Sequence, residues 1–365
     1  MSMHVVFRTD SSLRIGTGHV IRCLTLAGIL REHGLTVVFI CRELDGHISN
    51  LVEQQGFTVN LLPNAEDYDS STNLSASYSA PVNSWEIDAE ESIAIIRELR
   101  VKPTFLIVDH YKIDQLWEGS LRKYVERIIV IDDLADRLHD CNILLDQNYL
   151  PDYEHRYDSL VPAGCKKLLG PDYLMLRPEF LKFRGSFRER DGTIKRVLIF
   201  LGGGDVKNYT YKVIMAIKEL NWPGVEVDVI ASASNPNQRM IKALCEEDSG
   251  FNFYSQVNNI AELIESADVA ISAGGFTSYE LAFMGLPSVL MPFSEIQESV
   301  SSEIQARGAA INLGFKTEFP RKALIEALSE LRDSPSRCLE MTHIGRSMFD
   351  GLGAKRVADV LLDMI

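Results

Sequence analysis

Short apolar runs, each followed by a polar or glycine-rich loop and then by an amphipathic stretch, recur along this sequence. Strands are expected at residues 4–8, 36–41, 58–61, 105–108, 127–131 and 142–145, with helices at 19–32, 48–55, 89–99 and 115–123. Parallel strands need long crossovers, and helical crossovers bury the sheet on both faces, so this alternation predicts an α/β fold. Residues 147–190 break the pattern with Pro151, Pro162, Pro171 and Pro178 and end in a charged tail. It then restarts, with strands at 197–201, 225–230, 251–254, 269–272 and 288–291 and helices at 209–220, 236–246, 277–284 and 297–307. With 365 residues the chain has enough length for two cores. Two similar halves facing a central cleft are expected, a common place for a small-molecule site. The expected domains are 1–150 and 191–365, joined by a crossover at 151–190, with the last helix free to pack back on the first domain.

A net charge of −14 argues against nucleic acid and anionic membranes as main partners. No long apolar run predicts membrane insertion, and with a strand starting almost at once no leader is expected. The six cysteines are scattered without a Cys-x-x-Cys pair, which suits reduced thiols and a cytoplasmic location. Residues 64–83 are rich in Ser, Asn, Asp and Tyr and are expected to form a long mobile loop over the site.

Chemistry concentrates at expected strand ends. The first strand leads to Asp10, Gly16, Gly18 and His19, and His19 opens a helix that also carries Arg22. Glycines there permit tight turns, helix amides favour an anion, and an imidazole can take a proton from water. Asp109-His110-Tyr111 and Asp132-Asp133 end two more strands; they suit orientation of a sugar or water, or equally caps, and His110 is a second candidate base. In the second half, Gly202-Gly203-Gly204-Asp205 and Ala273-Gly274-Gly275 place bare amides where a diphosphate can be held without a metal, or simply make tight turns. Thr277 and Glu280 have capping-box spacing, and a carboxylate at Glu280 also suits the hydroxyls of a ribose. No His/Cys cluster suggests a metal, and Asp67-Tyr68-Asp69 falls inside the polar loop.

Taken in order, these motifs resemble a family. They are Phe7-Arg8-Thr9-Asp10, Gly16-x-Gly18-His19-x-x-Arg22, Asp109-His110-Tyr111, Ile131-Asp132-Asp133 and Leu176-Arg177-Pro178-Glu179-Phe180. The series continues through Gly202-Gly203-Gly204-Asp205, Ser234-Asn235-Pro236-Asn237, Ser272-Ala273-Gly274-Gly275-x-Thr277-x-x-Glu280 and Asp350-Gly351-x-Gly353-Ala354. The chain resembles the UDP-2,4-diacetamido-2,4,6-trideoxy-β-L-altropyranose hydrolases of pseudaminic acid biosynthesis, which serve flagellin glycosylation. That family is similar in turn to MurG-type glycosyltransferases of the GT-B fold. The resemblance implies two Rossmann-like domains, a UDP-sugar substrate, attack of water at C1 with inversion, and neither metal nor cofactor. It implies His19 as general base and Tyr111 in the substrate site. Glu280 is implied on the ribose, and Gly274 and Gly275 on the diphosphate. Asp10, Gly16, Gly18, Arg22, His110, Gly203, Gly204, Asn235, Thr277 and Gln297 complete the expected substrate-binding set. Three positions depart from the family pattern: Phe276 replaces a small residue, Glu295-Ile296-Gln297 replaces an Asn-Gln pair, and Asp146 stands where Asn is usual. The alternatives are a GT-B glycosyltransferase that passes the sugar to an acceptor, and a nucleotide-sugar-binding module without chemistry. Protein partners are not indicated.

Overall fold

The computed structural model describes residues 3–64, 84–202, 205, 207–232, 235–255, 257 and 259–365. All but the first residue of the loop expected at 64–83, including its Asp67-Tyr68-Asp69 triplet, and Gly203 and Gly204 lie outside the described residues. The chain divides into two compact units, Met1–Arg177 with Leu352–Ile365, and Pro178–Gly351.

The first unit runs β1 (His4–Thr9), α1 (Gly18–Glu32), β2 (Thr36–Arg42), α2 (Ser49–Gln54), β3 (Thr58–Leu62) and α3 (Ser84–Glu98). It continues with β4 (Phe105–Asp109), α4 (Gln115–Leu121), β5 (Arg127–Ile131), β6 (Ile143–Asp146) and β7 (Lys166–Leu169). Its strands form one sheet in the order β3-β2-β1-β4-β5-β6-β7, and every pairing is parallel. Val5, Val6 and Phe7 of the central strand are sealed from solvent, and Phe7 stacks on Phe39 with ring centroids 4.9 Å apart. The seventh strand falls inside the stretch expected to be crossover. Lys166 and Lys167 face solvent on this edge strand, so it lacks the apolar run of a central strand.

The second unit begins at α5 (Pro178–Leu181) and runs β8 (Arg196–Phe200), α6 (Tyr209–Leu220), β9 (Glu226–Ile230), α7 (Gln238–Glu246), β10 (Phe251–Tyr254) and α8 (Ile260–Ser266). Then come β11 (Val269–Ser272), α9 (Phe276–Phe283), β12 (Ser288–Leu290), α10 (Glu295–Ala306), β13 (Ala310–Asn312), α11 (Arg321–Asp333) and α12 (Pro335–Met348). Its sheet is ordered β10-β9-β8-β11-β12-β13, again all parallel. The last helix, α13 (Gly353–Leu362), belongs to the first unit, where Ala354, Val357, Ala358 and Leu361 join a core that includes Val20, Leu24 and Ala27 of α1.

Strand order reverses between β1 and β4 in the first sheet and between β8 and β11 in the second. At such switch points successive crossovers leave on opposite faces and open a crevice beyond the strand C-termini, where open α/β sheets bind ligands. His19 follows β1 and Asp109 ends β4, while Gly202 follows β8 and Gly274 follows β11. Both glycine and histidine loops therefore lie at the switch point of their own sheet.

Candidate active site

A turn and a helix start position His19. Gly16 has φ of +82° and donates its N–H to Ser12 O at 2.9 Å, a backbone conformation that glycine adopts without strain. Ser12 Oγ accepts from the amides of Arg14 and Ile15, which fixes the loop before the helix. Thr17 caps α1 without a side-chain hydrogen bond. A Cβ built on Gly16 or Gly18 would meet nothing within 4 Å, so the space over these residues is open.

His19 itself is 5% exposed. Its Nδ1 is sealed and unpaired, 3.9 Å from Asp109 Oδ1. The edge of its ring meets Tyr111, with centroids 4.3 Å apart and planes at 84°. Burial pulls its pKa below the usual imidazole value, outweighing the attraction of Asp109, and Arg22 pushes the same way. The dipole of α1 adds to this, because a cation is disfavoured at a helix N-terminus. The neutral ring is the form a base needs.

Arg22, one turn along α1, bridges two carboxylates. It donates to both oxygens of Asp109 at 2.6 and 2.7 Å and to both oxygens of Asp133 at 2.8 and 2.9 Å. Tyr111 Oη donates to Asp133 at 3.2 Å, and Asn148 Nδ2 donates to its other oxygen at 2.7 Å. These contacts hold Asp133 well below the usual carboxylate range despite burial. Behind it, Asp146 accepts from Asn148, Arg156 and Tyr157. Burial, with the charge of Asp133, pushes Asp146 up to about 7.

A second buried network, built on Asp10, corrects two sequence expectations. Arg8 grips both oxygens of Asp10 at 2.5 and 2.9 Å, and the Arg42 amide donates to Asp10 at 2.7 Å. Asp88 accepts from Arg8, Arg42 and the Trp117 indole. Asp10 is thus sealed within the protein fabric; Asp109, not Asp10, is the carboxylate beside His19. His110 Nδ1 accepts from the Lys112 amide at 3.0 Å, so the neutral ring carries its proton on Nε2, 3.2 Å from Asp10 Oδ2. Both nitrogens are engaged, which leaves the neutral His110 ring no free lone pair to act as a base.

In the second unit the two glycine loops differ. Asp205 accepts from the amides of Tyr209 and Thr210 at 2.7 and 2.8 Å, so a carboxylate of the protein already occupies the start of α6. A phosphate placed there would meet a like charge. The start of α9 has no side-chain cap, and Gly275 is its N-cap. Gly274 packs so tightly that a Cβ would lie 1.8 Å from Ser301 Oγ and 2.9 Å from Gln297 O. Nearby, Ser272 Oγ is buried and unpaired at the end of β11. Gln297 Oε1 accepts from the Phe293 amide at 2.7 Å, and its Nε2 lies against Gly275.

Because α9 begins at Phe276, Thr277 is its second residue and not its cap, so Thr277-x-x-Glu280 is no capping box. Glu280 lies further along the helix and is 1% exposed. Asn235 Oδ1 accepts from Asn237 N at 2.8 Å in a local turn, while its Nδ2 is buried and unpaired. The expected residues fall into two groups, each within one unit. His19, Arg22 and Tyr111 meet at the first switch point, and Gly274, Gly275, Thr277 and Gln297 cluster at the second.

Comparisons with known proteins show what the chain is similar to. Residues 197–357 match the glycosyltransferase family 28 C-terminal domain. The spore coat polysaccharide biosynthesis protein SpsG of Bacillus subtilis is 32% identical over 199 residues, covering 53% of this chain. The chain spans only 58% of that relative's length. The UDP-2,4-diacetamido-2,4,6-trideoxy-beta-L-altropyranose hydrolase of Campylobacter jejuni is 27% identical over 314 residues, which cover 86% of this chain and 100% of that protein. Among solved structures, MurG of Acinetobacter baumannii superposes with a TM-score of 0.66 at 16% identity, covering 99% of this chain and 100% of that one. The chain therefore has the GT-B fold, matches the glycosyltransferase family 28 C-terminal domain over 197–357, and resembles the Campylobacter hydrolase over most of its length.

Proposed function

We propose that this chain hydrolyses UDP-2,4-diacetamido-2,4,6-trideoxy-β-L-altropyranose to UDP and the free sugar, with inversion at C1. The observation that carries the chemistry is His19, held neutral by burial at an uncapped helix start, with Nδ1 facing Asp109 at 3.9 Å. In this reading Nδ1 carries the ring proton toward Asp109, and Nε2 presents the lone pair. Water attacks C1, its proton passes to Nε2, and the bond from C1 to the diphosphate oxygen breaks. General-base help of this kind contributes typically about 10²–10⁴-fold. Asp109 acts by positioning the ring, Arg22 fixes Asp109, and Tyr111 limits ring rotation by edge contact.

The departing UDP needs its growing charge stabilised. The Gly275 amide already donates to Ala273 O at 3.1 Å, so the Gly274 amide and the start of α9, which has no side-chain cap, supply the donors and the positive dipole end. Glu280 takes the ribose hydroxyls, an assignment that rests on the resemblance. The 27% identity to the Campylobacter hydrolase, aligned over that protein's full length, supports the substrate. The family 28 domain favours a second reading, transfer of the sugar to an acceptor hydroxyl.

Purified protein, the UDP-sugar and EDTA, followed by proton NMR without any acceptor, separate the two readings. Release of UDP with an inverted free sugar supports hydrolysis. Release only after an acceptor is added overturns it in favour of transfer. His19→Ala is expected to lose turnover by at least about 10²-fold while still binding UDP; unchanged turnover would remove His19 as the base.

A further inference from the structure

Away from both candidate sites, two thiols meet at the entrances of neighbouring strands. Cys141 is buried and Cys165 half-buried, and their Sγ atoms are 3.5 Å apart. Backbone bonds hold both positions. Asn142 N donates to Ile128 O at 2.7 Å, Lys166 N to Asn142 O at 2.9 Å, and Cys165 N to Pro162 O at 2.9 Å. Asn142 Oδ1 also accepts from Arg122 at 2.5 Å and from the Ile128 amide at 2.9 Å. The parallel register sets Ile143 opposite Lys166, so the residues just before each strand are neighbours.

We propose that Cys141 and Cys165 form an oxidisable dithiol site that closes to a disulfide on reaction with a peroxide. The Cys165 thiolate attacks one peroxide oxygen, the O–O bond breaks, and the leaving hydroxide takes a proton to become water. Cys165 is then a sulfenic acid. Cys141, on losing its proton, attacks that sulfur; the S–S bond forms, the S–O bond breaks and a second water leaves. Two thiols lose two electrons in total, and the peroxide is reduced to two waters.

The roles follow from the surroundings. The contact with Cys141 lowers the pKa of Cys165, and Lys167 and Arg122 act in the same direction, while burial opposes them. A half-exposed thiol near cations is the reactive kind. Cys141 is pushed up by its contact with Cys165 and by burial, which suits the resolving partner. The other four cysteines, Cys23, Cys41, Cys245 and Cys338, are buried with raised pKa values. The cross-link encloses the segment that carries Asp146, Asn148, Arg156 and Tyr157, the groups behind Asp133.

The experiment treats the full chain with hydrogen peroxide, unfolds and alkylates it, and maps the peptides by mass spectrometry. The expected product joins the Cys141 and Cys165 peptides, about 2 Da lighter than their sum, with four thiols alkylated and full reversal by dithiothreitol. Cys165→Ser is expected to leave Cys141 fully alkylatable. Cys141→Ser is expected to accumulate a sulfenic acid on Cys165 that dimedone traps. Recovery of Cys165 as sulfinic acid beside a free Cys141 overturns the proposal. So do cross-links scattered among the other cysteines, or inertness of both thiols at peroxide levels that oxidise free cysteine.

Discussion

Replacing Gly274 by Ala tests whether the start of α9 is held open by close packing. The added Cβ meets Ser301 Oγ at 1.8 Å, Gln297 O at 2.9 Å and Pro292 Cβ at 3.2 Å. Ser301 is sealed, and its hydroxyl donates to Gln297 O at 2.7 Å. To make room the hydroxyl must give up that bond, and the carbonyl belongs to the backbone of α10. Overpacking of this kind costs about 1–3 kcal/mol. Loss of the Ser301 hydrogen bond adds about 1 kcal/mol. A total loss of roughly 2–4 kcal/mol is expected in urea unfolding of the second unit's transition. Ser301→Ala removes the nearest atom, so the Gly274→Ala/Ser301→Ala double variant is expected to recover roughly 1–2 kcal/mol relative to additivity. Displacing the loop also moves the amides assigned to the diphosphate, so calorimetry is expected to show UDP binding weakened at least about tenfold, or 1.4 kcal/mol. A Gly274→Ala variant within about 0.5 kcal/mol of the parent, with unchanged UDP affinity, would refute the reasoning.

Three further outcomes follow from the buried charges. Arg22→Met strands Asp109 and Asp133 in a sealed site, so chemical denaturation is expected to show a loss of about 3–5 kcal/mol, and a loss below about 1 kcal/mol would contradict the double bridge. Asp146 keeps its proton up to about pH 7 when folded, against the ordinary carboxyl value of 3.8. Between those values the unfolded chain has released a proton that the folded chain retains, so ionisation favours unfolding as pH rises. Asp146→Asn is therefore expected to gain roughly 2–4 kcal/mol relative to the parent between pH 5 and pH 8, and a pH-independent difference would refute this. Because His19 is held below the ordinary imidazole value in the free protein, kcat/KM is expected to stay level down to about pH 6.5 and fall only below it; a kcat/KM limb centred above that value would mean a different base.

The alternation of apolar strands and amphipathic helices was legible because it is local, and so was the placement of His19 and Gly274 at strand ends. The partners of those residues were not. Arg8 and Asp88 are 80 positions apart, and Arg22 and Asp133 are 111 apart; no local pattern pairs them. Asp10 looked like a site residue because it follows a strand, yet its neighbours Arg8 and Arg42 consume it. One signal was present: Arg8 interrupts an otherwise apolar central strand, and a charge there requires a buried counter-charge. The two glycine loops looked alike in sequence. Their difference lies in Asp205, whose carboxylate closes one helix start while α9 is left without a side-chain cap.

The chain leaves the first unit after Arg177 and re-enters it at Leu352, so the second unit is an insertion within the first. On the ribosome this fixes a sequence of events. The segment up to Arg177 emerges with one face of α1 still uncovered, because Val357, Ala358 and Leu361 have not been made. At translation rates of about 5–20 residues per second, the whole inserted unit takes on the order of 10–30 s to emerge. The inserted unit is thus free to finish folding first, while the older unit waits for its closing helix with apolar surface exposed.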